Sequence, residues 1–520
     1  MGRAAGAPDV RRKRPAAAGS CARQPLRQIM NITDFIREQA RSKPDAPAIV
    51  RTGLRNMRAM RTTSYADLDR TIDAIARRVL DLGLVPGDIV GLALDKTAEV
   101  GRTYAVLAMS LGTARAGITA KLMSDAGAPV VLCFVTTDTS QFPGVKTVLV
   151  DAGWFQAPTP DEAAPVPSHQ DGSVICRIFP TSGTTGQQKE VAFSHDLMVA
   201  RVRFKNRTAP LPAEPVLVAQ LGAEGAYGFR DILRVLAVGG SVALVRTPEQ
   251  VIAAIDLLRA NVVVVAPGTV AALIEALPQG WGPFPWIESL EVGGAELPAR
   301  PFESARTRLT PNIRASYGST EAGSVADAPA EKLAGRPGAA GYVLAGIEVQ
   351  AVDENDQPVP AGTEGVLRVR SEYCVDSYVN DPAATALAFR HGWFYPGDLG
   401  SVTSDGLLVV SGRAIELINH GGSKVSPRVI EEALLAVPGV TDAAAFGAPD
   451  DSGVTTICAA IVADDSLDRR ALRSTCMGLG NSTPQRIVRV RALPRNANGK
   501  IIRGDLAKLL EAQRRVEFDL

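Results

Sequence analysis

The chain is poor in the residues that build metal and redox sites. Only 4 of its 520 residues are histidine, and no two of these have the spacing of metal ligands. The 6 cysteines (Cys21, Cys133, Cys176, Cys374, Cys458 and Cys476) are scattered and form no C-x-x-C pair. That pattern argues against zinc and against a disulfide framework, and a reducing cytoplasm is the expected compartment. No apolar run approaches the roughly 18–20 residues needed to cross a bilayer, so no membrane span is expected. Net charge is +1, which supplies no overall field for nucleic acid or an acidic membrane. The common phosphate loop G-x-x-x-x-G-K-[ST] is missing as well.

What is present fits a soluble globular enzyme: 46% hydrophobic and 21% charged residues. A chain of this length exceeds one compact core, so two or more domains are expected. Residues 1–29 are rich in Ala, Arg and Pro, with Arg11-Arg12-Lys13-Arg14 before Pro15. They lack the apolar stretch of a secretory signal and are expected to be a disordered basic tail. A helical pattern begins at residues 31–36, and Met30 is read as the start of translation. A nucleic-acid-binding or targeting arm is the other reading of the tail.

From residue 31 to 410 helical patterns alternate with short β-branched runs. Residues 65–82 read as a helix, and 89–94, 130–135, 241–245 and 262–266 read as buried strands. The alternation implies an α/β architecture with parallel sheets. Residues 341–410 differ, with short strands at 347–352, 365–369 and 407–410 expected to form an antiparallel or β-barrel-like unit. Ser411-Gly412-Arg413 reads as a turn, and a domain boundary is placed near residue 412. Beyond it a small α+β domain is expected, with a helix at 426–436 capped by Ser426 and opened by Pro427, and strands at 443–446 and 456–462. The resulting division is a tail (1–29), a large N-terminal domain (30–412) and a small C-terminal domain (413–520).

The densest cluster of phosphate-handling groups is F-P-T-S-G-T-T-G-Q-Q-K-E-V at 179–191. Thr181, Ser182, Thr184 and Thr185 offer hydroxyl donors, and Gly183 and Gly186 let backbone N–H groups turn toward an anion. Lys189 adds a mobile positive charge. Taken alone, such a loop is as readily a surface turn.

Further motifs follow in order. They are Glu291-Val292-Gly293-Gly294-Ala295-Glu296-Leu297, Ser316-Tyr317-Gly318-Ser319-Thr320-Glu321, Trp393-Phe394-Tyr395-Pro396-Gly397-Asp398-Leu399-Gly400, Ser411-Gly412-Arg413, Gly421-Gly422-Ser423-Lys424-Val425-Ser426-Pro427 and Pro494-Arg495-Asn496-Ala497-Asn498-Gly499-Lys500. With the loop at 179–191 this ordered set resembles the adenylate-forming superfamily of acyl- and aryl-CoA synthetases, amino-acid adenylation domains and luciferases. The resemblance extends over about residues 31–510.

The resemblance implies that ATP and Mg²⁺ are used to turn a carboxylic acid into an acyl-adenylate, which then passes to the thiol of coenzyme A. The loop from Thr181 to Lys189 would hold the β- and γ-phosphates. The ring of Tyr317 would lie against adenine, with Gly294, Ala295, Glu296 and Gly318 around the nucleotide. Thr320 would donate to the α-phosphate and Glu321 would hold Mg²⁺, a cation that prefers oxygen ligands. Asp398 would accept from both ribose hydroxyls, and Arg413 would reach ribose or phosphate. Lys500 would bridge the carboxylate and the α-phosphate, and Gly421 and Gly422 would line the passage for the thiol arm. Gly225, Tyr227, Gly228 and Gly293 would form the acid pocket, where Gly225 replaces a larger side chain and Tyr227 remains as an aromatic wall. No aspartate is seen there to pair with a substrate amine, although Glu224 is adjacent, so a fatty or aromatic acid is expected.

The chain departs from the pattern in three places. The usual proline and glycine flanking the loop lysine are Gln188 and Glu190, and a carboxylate beside a triphosphate is unhelpful unless it points outward. The hinge position holds β-branched Ile415, which is stiffer there. Residues 111–129 are fewer than the pattern has. Two alternatives therefore stand beside an acyl-CoA synthetase: a ligase that loads a carrier-protein phosphopantetheine, and a homologue that binds adenylate without turnover. Retention of Thr320, Glu321, Asp398, Arg413 and Lys500 together argues against the last.

Overall fold

The computed structural model describes residues 31–52, 60–94, 101–123, 129–136, 142–161, 164–181, 189–294, 299–420, 423–449, 455–495 and 501–506. The first helix starts at Asp34, later than the sequence pattern suggests. Asn31 instead makes a side-chain turn, its Oδ1 accepting from the Thr33 N–H at 3.0 Å and from the Thr33 hydroxyl at 2.8 Å. Such a local bond competes with helix formation. The helix Tyr65–Asp81 agrees closely with its pattern: Ser64 caps it by accepting from the Asp67 N–H, and Leu68, Ile72, Ile75 and Val79 form its buried face.

Two large sheets contain the described strands from Pro47 to Arg413. The six-stranded sheet runs Lys146–Leu149, Leu132–Val135, Ile89–Ala93, Thr119–Leu122, Ile175–Pro180, Glu190–Ser194, with only the last strand antiparallel. In the 15-stranded sheet a parallel half contains Ser241–Leu244, Val216–Ala219, Val262–Val265, Ser289–Gly293 and Ile313–Ser319. The wholly buried valines of Val262–Val265 show why a run without alternation belongs at the centre of such a sheet.

Beyond Ile313–Ser319 the same sheet turns antiparallel. The strands Glu348–Val352, Gly365–Arg370 and Leu407–Arg413 extend it. Ser411, Gly412 and Arg413 are the end of that last strand, correcting their reading as a turn. Gly412 has φ 150°, and the register skips a residue opposite Leu399 and Gly400. An irregularity of this kind uses glycine without ending the strand.

The last part of the chain contains the hairpin Ile418–His420 with Ser423–Val425, the helices Pro427–Leu435 and Arg469–Gly478, and a three-stranded sheet from Val440–Pro449, Thr455–Ala463 and Arg486–Arg489. Among the described residues its apolar clusters draw on none before Ile418. Ser426 stands at the N-cap position but its side chain makes no cap bond; its hydroxyl donates to the Ser411 carbonyl at 3.2 Å instead. Among the described residues no helix is long and apolar enough to cross a membrane.

Candidate active site

The strand Ile175–Pro180 delivers the chain to Thr181, whose N–H donates to the Lys189 carbonyl at 2.7 Å and closes the neck of the phosphate-type loop. Ser182, Gly183, Thr184, Thr185, Gly186 and Gln188 lie outside the described residues. The Lys189 ammonium sits 4.7 Å from the centroid of the Tyr378 ring, a cation–π contact. On the same ring, the hydroxyl donates to Glu321 Oε1 at 2.8 Å. Tyr378 therefore links the loop lysine to the carboxylate expected to hold a metal. Burial and the adjacent Glu321 push its phenol well above the ordinary range, which keeps it a donor.

Glu190 is buried and pairs with Lys121, with Nζ 2.8 Å from Oε1 and side-chain exposures of 2% and 5%. Lys121 comes from Thr119–Leu122, two strands away in the same sheet. The Glu190 carbonyl accepts from the Val379 N–H at 2.8 Å. The carboxylate neither points outward nor stands as a bare negative charge beside the loop.

Thr320 and Glu321 occupy the turn between Ile313–Ser319 and Gly323–Pro329. Gly318 is needed there, because a Cβ would collide with the Gly323 carbonyl. Buried Arg201 fixes the turn from beneath. It donates to the carbonyls of Thr320 (2.8 Å), Glu321 (2.7 Å) and Tyr373 (2.6 Å). Glu321 itself is buried. One of its oxygens is held by Tyr378, and the other has no hydrogen-bond partner among the described residues, which suits an oxygen ligand for a hard cation.

Tyr317, Asp398 and Arg413 come together. The Tyr317 hydroxyl donates to Asp398 Oδ2 at 2.5 Å, and Arg413 Nε donates to Oδ1 at 3.0 Å. Arg413 lies opposite Asp398 in the strand register and also reaches the Pro396 carbonyl at 3.1 Å. A carboxylate offers about four lone-pair sites, so Asp398 retains capacity for hydroxyl donors. Burial and the Asp398 charge push the Tyr317 phenol well above its ordinary value.

The pocket residues also meet. Gly225 is the N-cap of the helix Ala226–Ala237 and makes no side-chain cap. A Cβ on Gly225 would enter open space, with nothing within 4 Å. A Cβ on Gly293 would meet the Tyr227 hydroxyl at 2.7 Å, and one on Gly228 would strike the Gly222 carbonyl. The Tyr227 hydroxyl donates to Glu291 Oε1 at 2.7 Å. Burial opposes the Glu291 charge, but Lys205, Arg234 and Arg230 hold its carboxyl well below the usual range. Gly294 follows with φ 90°, while Ala295, Glu296, Gly421, Gly422 and Lys500 lie outside the described residues. Ile415 falls in the single turn Ala414–Glu416.

Sequence reasoning missed Lys121, Arg201 and Tyr378. A lysine inside an apolar strand was a usable signal for Lys121, since such a charge needs a partner. Nothing local distinguishes the other two.

A family model described as AMP-binding enzyme matches residues 36–379, and one described as AMP-binding enzyme C-terminal domain matches 429–500. The chain is 28% identical to a salicyl-AMP ligase / salicyl-S-ArCP synthetase of Mycobacterium tuberculosis, over 89% of this chain and 88% of that protein. It is 32% identical to a sulfoacetate–CoA ligase of Cupriavidus necator, over 66% of this chain and 69% of that one. Its fold is like that of ATP-bound MatB from Rhodopseudomonas palustris, with TM-score 0.79, 23% identity, and 93% of this chain and 100% of that chain covered.

Proposed function

The chain belongs to the AMP-binding enzyme family, and on that premise we propose that it activates a carboxylic acid with ATP and passes the acyl group to the thiol of coenzyme A. It is an AMP-forming acid–thiol ligase. The observation that carries the reading is the meeting of Tyr317, Asp398 and Arg413 beside the Lys189–Tyr378–Glu321 chain.

In the first step a carboxylate oxygen attacks the α-phosphorus of ATP. The bond to the bridging oxygen breaks and pyrophosphate leaves. Asp398 orients the nucleotide through the ribose hydroxyls, Thr320 donates to the α-phosphate, and the Thr181–Lys189 loop takes the outgoing phosphates. Bound at Glu321, magnesium would neutralise phosphate charge. Lys500 bridges the reacting carboxylate and α-phosphate. In the second step the thiol sulfur attacks the acyl carbon, AMP leaves with the C–O bond electrons, and the thiol proton is released. The adenylation domain, placed at residues 30–412 from the sequence, extends through Arg413, the end of its last strand, and the residues beyond it would form the domain that brings in Lys500, then Gly421 and Gly422.

The acid is fatty or aromatic and lacks an amine partner. Glu224, beside the pocket, already faces Thr103 Oγ1 (3.2 Å), Arg246 (3.5 Å) and Arg102 (3.9 Å), and Glu291, bonded to Tyr227, is paired with Lys205 at 2.9 Å. Free cysteines at Cys133, Cys176, Cys374, Cys458 and Cys476 support the cytoplasm as the compartment. A carrier-protein phosphopantetheine is the second acceptor, favoured by the likeness to a salicyl-S-ArCP synthetase.

Pyrophosphate release over a panel of carboxylic acids, with and without coenzyme A, tests the reading. Acyl-AMP that accumulates despite added coenzyme A would remove the CoA-ligase assignment. Lys500→Ala is expected to suppress adenylation far more than thioester formation from supplied acyl-AMP. Equal loss in both half-reactions would contradict its role.

A further inference from the structure

Arg177 lies in the middle of Ile175–Pro180, two residues before Phe179 and four before Thr181. It is 0% exposed. Its guanidinium stacks 5.1 Å from the Phe179 ring centroid and 5.6 Å from that of Phe229. Among the described residues Nε, Nη1 and Nη2 have no hydrogen-bond partner. Other buried arginines of this protein are served quite differently. Arg115 donates to Thr33, Asp69 and Asp73. Arg201 holds three carbonyls, and Arg230 is engaged by Asp231 and Ser324.

A planar fork of five N–H donors cannot shed its proton at neutral pH. Burial lowers the Arg177 pKa only to about 10, so the group remains a cation. A buried charge whose donors are all unmet needs a partner. The geometry says where that partner would lie. Phe229 belongs to the first turn of Ala226–Ala237, the helix whose opening residues Gly225, Tyr227 and Gly228 form the candidate acid pocket. That N-terminus has no side-chain cap and has open space at Gly225. Orphan backbone N–H groups and the positive end of the helix favour an anion there. Glu224 is the carboxylate whose charge acts on Arg177, yet it makes no hydrogen bond to the guanidinium, and its Oε1 faces Thr103, Arg102 and Arg246.

We propose that Arg177 binds a second anionic group, a carboxylate or sulfonate, carried by the acid that this enzyme activates. This keeps the ligase reading and rests on its placement of the acid pocket, but takes the acid to be doubly charged in place of the simple fatty or aromatic acid given above. One carboxylate of the acid goes to the α-phosphate and the other anion to the guanidinium fork, whose spacing matches two oxygens of such a group. A neutral acid would leave the fork unpaired, so the subsite selects against it.

The test compares each diacid from oxalate to adipate, and sulfoacetate, with a matched monoanion: the monomethyl ester of each diacid, and propionate for sulfoacetate. Pyrophosphate release and thermal stabilisation are measured on the full chain. For wild type, kcat/KM for at least one doubly charged acid is expected to exceed that for its monoanion by on the order of 10⁴-fold, since sites built to bond a polar group reject analogues lacking it. Arg177→Met should collapse that ratio toward unity, and Arg177→Lys should restore part of it. Monoanions used as well as doubly charged acids by wild type, or a ratio unchanged in Arg177→Met, would overturn the subsite. If Arg177→Met does not fold, the wild-type ratio and Arg177→Lys decide. Pyrophosphate release with no acid at all would count against the ligase reading, and thermal stabilisation then judges Arg177 separately. A rise with the doubly charged acid alone supports the subsite; equal rises or none overturn it.

Discussion

Glu190 shows how a single residue can be legible in type and illegible in effect. Its neighbours in the chain are a lysine and a hydroxyl-rich loop, so it reads as a repulsive charge beside phosphate. Its partner in space is Lys121, buried with it at 2.8 Å. No local pattern could disclose that pairing, because the sheet order sets Glu190–Ser194 two strands from Thr119–Leu122, far away in sequence. Breaking a buried ion pair from one side costs about 3–5 kcal/mol. Glu190→Gly, which restores the pattern usual at this position, is therefore expected to destabilise the protein by an amount of that order without lowering KM for ATP. Lys121→Met should do comparable damage, and the double variant Lys121→Met with Glu190→Gln should recover most of it. Denaturant midpoints for the four proteins, with ATP kinetics, check this. Unchanged stability and tighter ATP use in Glu190→Gly would restore the view of Glu190 as a liability.

At the scale of elements, helices and buried strands were readable wherever period and capping agreed, as in Tyr65–Asp81 with its Ser64 cap. Ser411-Gly412-Arg413 was misread because its composition is that of a turn. Pairing with Asp398–Val402 overrides composition and sets Arg413 opposite Asp398. The site is thus assembled by strand register, and motifs carrying the two residues could be named without knowing that they touch. Tyr378 illustrates the complement, a link between elements that no motif announced. Its hydroxyl bonds Glu321 while its ring faces Lys189. Tyr378→Phe keeps the ring and removes one hydrogen bond to a charged acceptor, worth about 1.5–3 kcal/mol. Adenylation should fall by roughly 10- to 100-fold on that basis, with a raised requirement for Mg²⁺ and little change in KM for the acid. A variant with wild-type magnesium dependence would show that Glu321 does not rely on Tyr378.

For the whole molecule, one buried histidine predicts how stability responds to acid. His195 opens the helix His195–Thr208 and is 0% exposed. Its Nδ1 accepts from the Ile32 N–H at 3.2 Å, joining the start of the described chain to the core. Burial, aided by the His169 charge and opposed by Asp171, lowers its pKa from 6.5 to about 4. The unfolded chain therefore takes up a proton near pH 6.5 that the folded chain refuses until about pH 4. Stability contributed by neutral His195 is full above pH 6.5 and is lost as pH falls through that interval. A difference of this size corresponds to something on the order of 3 kcal/mol at 1.36 kcal/mol per pH unit. Protonating Nδ1 would also sever the bond to Ile32, and a cation at a helix N-terminus is disfavoured. Denaturant midpoints measured from pH 7 to pH 4 should fall along this course. His195→Asn, which keeps a short acceptor facing Ile32, should flatten the fall while losing some stability at pH 7. An equally steep loss in His195→Asn would move the acid sensitivity to other groups.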